Sequence, residues 1–168
     1  DFVISLRVCQ KGYTVKYAAD AFASETPSAS IEDEQKRKVR IGAGGFQSML
    51  MLLPLLNFLK YPRLSFQYVS HRVLRWAICP FLLPVILLLN ILLVIYEQGF
   101  IYQLILVLQS LFYIAALGGW MLHKKNIKSK LLYVPYYFLF INVCLYLGFV
   151  RFVKGRQTVL WEKAARAK

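Results

Sequence analysis

Three long runs of apolar residues dominate the second half of the sequence. Residues 77–96, 100–122 and 131–150 each approach the 20 or so apolar positions that a helix needs to cross a hydrocarbon core of roughly 30 Å. The first run contains Pro80, Pro84 and Asn90, which predicts a kink near its start. The second carries Gln103, Gln109 and Ser110, and the third Pro135 and Asn142. Trp76, Tyr96, Trp120, Tyr133, Tyr136 and Tyr137 fall near the ends of the runs, where interfacial aromatics collect. A shorter apolar run, residues 46–59, is broken by Gln47, Ser48, Pro54 and Asn57. As a helix it covers about 21 Å, short of a comfortable span. It predicts one or two helices lying at the membrane interface, with a buried core helix as the alternative.

The first 45 residues read differently. Residues 2–11 have helical character and Gly12 is a plausible stop. Residues 13–18 alternate Tyr13, Val15 and Tyr17 with Thr14, Lys16 and Ala18, the pattern of a half-buried strand. Pro27 and the neighbouring serines mark a turn. Ser30 then starts a helix as its N-cap, with Glu32, Asp33 and Glu34 in the first turn and Lys36, Arg37, Lys38 and Arg40 further along, an order that suits the helix dipole. Gly42, Gly44 and Gly45 are expected to end that helix in a flexible link. A helix, a strand and a helix are too little for an independent core, so the fold is expected to begin upstream of Asp1. The expected class is an α-helical membrane protein whose partial α/β segment (1–45) is followed by interfacial helices and a basic collar (46–75), about three transmembrane helices (76–150) and a basic tail (151–168).

Charge adds orientation. The 168 residues carry 21 Lys+Arg against 8 Asp+Glu, a net +13, and are 58% hydrophobic and 15% aromatic, which excludes a disordered chain. Glu97-Gln98-Gly99 has no basic residue and is expected outside; the loop with Lys124, Lys125, Lys128 and Lys130 is expected in the cytoplasm, together with residues 1–75. The localisation expected is a bacterial-type inner or plasma membrane. Three full spans put the tail, with Arg151, Lys154, Arg156, Lys163, Arg166 and Lys168, on the outside against the rule, so its side is left open. Lys60, Arg63, Arg72 and Arg75 form a collar suited to anionic head groups; membrane lipids are expected partners and nucleic acid is not. Cys9, Cys79 and Cys144 are dispersed, and His71 and His123 sit at the edges of apolar runs, so neither a disulfide framework nor a zinc site is expected. No signal peptide pattern is visible.

Arg37 and Arg40 stand three apart on one helix face beside the glycines. Two guanidiniums there can grip a diphosphate bidentately, with glycine allowing close backbone approach. The alternative is a solvated or lipid-facing charged helix.

Several segments in order resemble a known family. Asp1-Phe2-Val3-Ile4-Ser5-Leu6, Gly12-Tyr13, Tyr17-Ala18-Ala19-Asp20-Ala21 and Glu25 are followed by Arg37-Lys38-Val39-Arg40-Ile41-Gly42-Ala43-Gly44-Gly45-Phe46-Gln47. Ser70-His71-Arg72-Val73-Leu74-Arg75-Trp76 and Gly155-Arg156-Gln157 with Trp161-Glu162-Lys163 complete the set. Together they resemble the C-terminal half of membrane-embedded family 2 glycosyltransferases, the inverting enzymes that include cellulose, chitin, hyaluronan and poly-N-acetylglucosamine synthases. The resemblance implies a GT-A catalytic domain that uses a nucleotide-sugar donor, a sugar or lipid acceptor and a divalent metal, Mg or Mn, held by a DxD. Asp1 then matches the Asp of the family's Glu-Asp pair, the catalytic base; a carboxylate there takes the proton that an attacking hydroxyl must lose. Arg37 and Arg40 match the QxxRW segment beside the donor diphosphate. The sequence departs from the pattern: Arg37 stands in the Gln position, Ile41 in the Trp position, and no DxD is present. Arg75-Trp76 is a literal Arg-Trp pair but lies too far downstream, and reads as an interface anchor. The chain alone is expected to be an inactive fragment of a polysaccharide-forming hexosyltransferase. The competing expectation is a non-catalytic membrane anchor or assembly subunit with a basic cytoplasmic face. A channel or transporter is disfavoured, because Asn90, Gln103, Gln109 and Asn142 are few and uncharged.

Overall fold

A computed structural model describes residues 2–26, 28, 30–97, 99–125, 127 and 129–155. Asp1, Pro27, Gln98, Lys128 and the tail beyond residue 155 therefore lie outside the described residues. The described chain is helical: α1 (Phe2–Gln10), α2 (Ile31–Met51), a 3₁₀ turn (Leu53–Leu56), α3 (Pro62–Tyr68), a π-helical segment (Val69–Ile78), α4 (Cys79–Glu97), α5 (Phe100–Lys124) and α6 (Lys130–Val153). It divides into two compact units, one of Asp1–Ala77 with Cys144–Lys168 and one of Ile78–Val143.

Among the described residues three helices are long and apolar enough to cross a membrane: Pro62–Glu97, Phe100–Lys124 and Lys130–Val153. The last two extend the predicted runs by only a few residues. The first begins 15 residues before the predicted residue 77, because α3 and the π-helical segment continue into α4. Pro80 lies in the first turn of α4 and Pro84 inside it. The wide π turns end at Ile78, just before Pro80, whose ring clashes with the carbonyl four residues back in a regular α-helix.

In the second unit, aliphatic side chains such as Leu88, Leu111, Ile114 and Leu117 are more than half exposed, as helices that face lipid require. Several polar side chains within the apolar runs have hydrogen-bond partners. Asn90 Nδ2 donates to Gln109 Oε1 at 3.0 Å, joining α4 to α5. Ser110 donates to the Leu106 carbonyl and Asn142 to the Phe138 carbonyl. Asn90→Leu should cost about 0.6–1.7 kcal/mol, the range for one interhelical hydrogen bond in a membrane bundle. Adding Gln109→Leu should recover part of it, since no orphan amide then remains. A double-mutant cycle of unfolding in detergent measures the coupling, and zero coupling would show that the bond does not hold the two helices.

The first unit has its own core of Leu52, Leu55 and Tyr68, against which Phe2, Val3, Leu6, Leu64 and Val73 pack. The run 46–59 thus buries Leu52 and Leu55, while Leu53, Phe58 and Leu59 stay exposed, Leu59 at 97%. One face serves the core and the other is free for an interface. Arg7 donates to the Met51 carbonyl at 2.8 Å and so ties α1 to the open C-terminus of α2. Asn57 Oδ1 accepts from the amides of Leu59 and Lys60, and Ser65 Oγ donates to the Asn57 carbonyl, closing the turn into α3.

Two local expectations are corrected. Residues 13–18 form no strand, and no β-strand occurs among the described residues, so the α/β character expected of the first 45 residues is not seen. Alternation makes a strand only where a neighbouring strand takes up its backbone groups; here Tyr13, Val15 and Tyr17 are exposed, Tyr17 at 91%. The glycines at 42, 44 and 45 do not end α2, which runs on to Met51. They let neighbours approach instead. A Cβ on Gly42 would meet Gly148 at 3.5 Å and one on Gly148 the Val39 carbonyl at 3.0 Å, so α2 and the end of α6 touch backbone to backbone. Phe46 then packs edge-on to Phe149 at 5.2 Å.

Candidate functional site

Three segments far apart in sequence, α1, α2 and the continuous stretch of α3 and the π-helical segment, converge in the first unit. Gly45 of α2 leaves room for the Trp76 ring, where any Cβ would collide with that ring. The Arg72 guanidinium lies 3.6 Å over the Trp76 ring and 4.3 Å over the Phe2 ring. Phe2 stacks on Tyr68 at 6.4 Å, and the Tyr68 hydroxyl donates back to the Met49 carbonyl of α2 at 3.4 Å. The contacts run from α2 through the π-helical segment, α1 and α3 and return to α2. An Arg held between two aromatic faces is worth up to about 2 kcal/mol where desolvated.

α2 carries the charged part of the site. Ser30 caps it as the sequence predicts, its Oγ accepting from the Asp33 amide at 3.1 Å. Glu34 is the hub. It accepts from Ser28 Oγ at 2.6 Å and pairs with Arg37 Nε at 3.3 Å and Lys38 Nζ at 3.5 Å. Arg37 also reaches Glu25 at 3.7 Å. Burial pushes the Glu34 carboxyl up, but the Ser28 hydrogen bond and the Arg37 and Lys38 charges outweigh it and hold it below its ordinary 4.5. A carboxylate lowered on folding adds stability above its unfolded pKa and loses it as pH falls through the folded one. Wild type should therefore melt above Glu34→Gln at neutral pH, with the gap closing below about pH 4.5. A gap constant across pH would show that the charge of Glu34 contributes nothing.

Of the predicted site residues, Asp1 lies outside the described residues; its neighbour Phe2 opens α1. Arg37 is committed to two carboxylates, so an incoming diphosphate has to displace them, Glu25 the more easily because it is largely exposed. Arg40 is half-buried one turn further along α2. Among the described residues no three His, Cys, Asp or Glu side chains are grouped to hold a metal, and the metal ligands implied by the resemblance belong to a DxD that this sequence lacks. The sequence alone places Arg72 in a basic collar and Trp76 as an interface anchor, without their partners. Only the four-residue spacing of Arg72 and Trp76 was legible; Phe2, Tyr68 and Gly45 are brought there by tertiary packing. No family model matches this sequence, and no curated protein or solved structure shows significant similarity to it.

Proposed function

We propose that this chain is the membrane-proximal C-terminal part of a membrane glycosyltransferase that transfers a sugar from a nucleotide-sugar donor to a polysaccharide or lipid acceptor with inversion. One observation carries the reading. Three of the segments that resemble the family, at residues 2–6, 37–47 and 70–76, contact one another through Phe2, Gly45, Arg72 and Trp76. The reading assigns residues 1–45 to the end of a GT-A-like domain on the cytoplasmic side of a bacterial-type membrane.

In this reading Arg40 meets the donor diphosphate. The leaving nucleoside diphosphate gains negative charge as the sugar departs, and a guanidinium aimed at it stabilises that charge. Arg37 neutralises Glu34 and Glu25 at rest and is the better candidate for an acceptor contact. Arg40→Ala in the full enzyme should lower kcat/KM for the donor about 10- to 100-fold, the value of one charge-assisted hydrogen bond. Arg40→Lys should restore part of it, because Lys lacks the planar fork. The alternative, a non-catalytic anchor with a basic face, predicts altered membrane association and salt sensitivity with donor kinetics intact. The gene sequence offers the direct test: a DxD upstream and a Glu immediately before Asp1 support the enzyme, and their absence overturns it.

A further inference from the structure

A cavity of about 560 Å³ lies at the turn between α5 and α6, within the roughly 300–1,000 Å³ range of small-ligand sites. Leu122, Ile127 and Val134 line it with apolar surface, and His123, Ser129 and Lys130 bring donors to the same wall. It sits where two membrane-length helices end, α5 at Lys124 and α6 at Lys130, which is head-group depth. Lys124 lies 4.1 Å over the Trp120 ring, an interfacial anchor beside it. The sequence from residue 98 to residue 161 contains no Asp or Glu, so no carboxylate of this stretch offsets these lysines.

We infer that this cavity holds the head group of an anionic phospholipid, its phosphate facing Lys130 and His123 and its acyl chains following the exposed aliphatic flank at Leu131 and Val134, which are 84% and 67% exposed. Charge complementarity selects the anion, and the apolar lining at head-group depth selects a lipid over a soluble phosphate. A zwitterionic lipid would bring a cation that no carboxylate in this stretch can meet. The assignment is independent of glycosyl transfer.

Native mass spectrometry tests it on the full 168-residue chain, released from micelles doped equally with phosphatidylglycerol and phosphatidylcholine. One phosphatidylglycerol should be retained about tenfold over phosphatidylcholine. Lys130→Gln should lower its retention about tenfold, the scale of one lost charge-assisted contact. Val134→Trp, which fills the apolar lining from an exposed position, should also lower it. Lys16→Gln, an exposed basic residue outside both this cavity and the basic collar, should leave it unchanged. Circular dichroism confirms that each variant keeps its helices. Equal retention of the two lipids, equal loss in Lys16→Gln, or displacement by millimolar inorganic phosphate would each overturn the assignment, the last by making a soluble anion the occupant.

Discussion

If the proposed glycosyl transfer is right, Asp1→Asn in the full enzyme is expected to lower it by about 100- to 10,000-fold, the usual worth of a general base, while donor binding survives. The reasoning is chemical. An acceptor hydroxyl attacking the anomeric carbon has to shed its proton as the bond forms. A carboxylate can take that proton, whereas an amide of the same shape cannot. Asp1 immediately precedes Phe2 in the sequence, the residue that stacks on Tyr68 and lies under Arg72. Single-turnover kinetics separate the outcomes. A loss confined to the chemical step supports the assignment. More than a few per cent of residual transfer removes Asp1 from that role, and an equal loss of donor binding makes it a binding residue instead.

The second large effect concerns two adjacent glycines of α5. Gly119→Ala is expected to cost about 3 kcal/mol or more, at the top of the overpacking range, and Gly119→Val to prevent α5 and α6 from packing. A Cβ at 119 would collide with the Leu132 carbonyl oxygen and come within 2.8 Å of the Tyr136 Cβ. The carbonyl is backbone and Tyr136 is buried, so neither has a rotamer into which it can retreat. Gly118→Ala is expected to be neutral or slightly stabilising. Its Cβ would meet only Leu132 Cδ1 at 3.9 Å, an ordinary contact, and Ala is the better helix former by up to about 1 kcal/mol. Thermal unfolding in detergent should order the proteins Gly118→Ala, wild type, Gly119→Ala. Equal effects at the two positions would mean that α5 and α6 do not approach as closely as described.

Membrane-length helices were legible in the sequence because hydrophobic length is a one-dimensional sum and helical hydrogen bonds join residues four apart. Residues 100–122 and 131–150 needed no tertiary information to become α5 and most of α6, and the Ser30 cap depends only on the next three residues. The strand expected at 13–18 failed for the opposite reason: its hydrogen bonds need a partner that the local pattern cannot supply. The glycines show the same divide. Read locally, Gly42, Gly44 and Gly45 are helix breakers that cost up to about 1 kcal/mol each. In the structure Gly45, and Gly148 facing α2 from α6, are the positions where Trp76 and the α2 backbone need the space of a missing Cβ, and packing overrides propensity. Arg72 between Phe2 and Trp76, Asn90 on Gln109 and the cavity beside Lys130 likewise join residues on separate helices or across a turn. Periodicity and composition place each of these residues on its own helix; which surface meets which is decided by tertiary packing, because that is where shape and charge first encounter a partner.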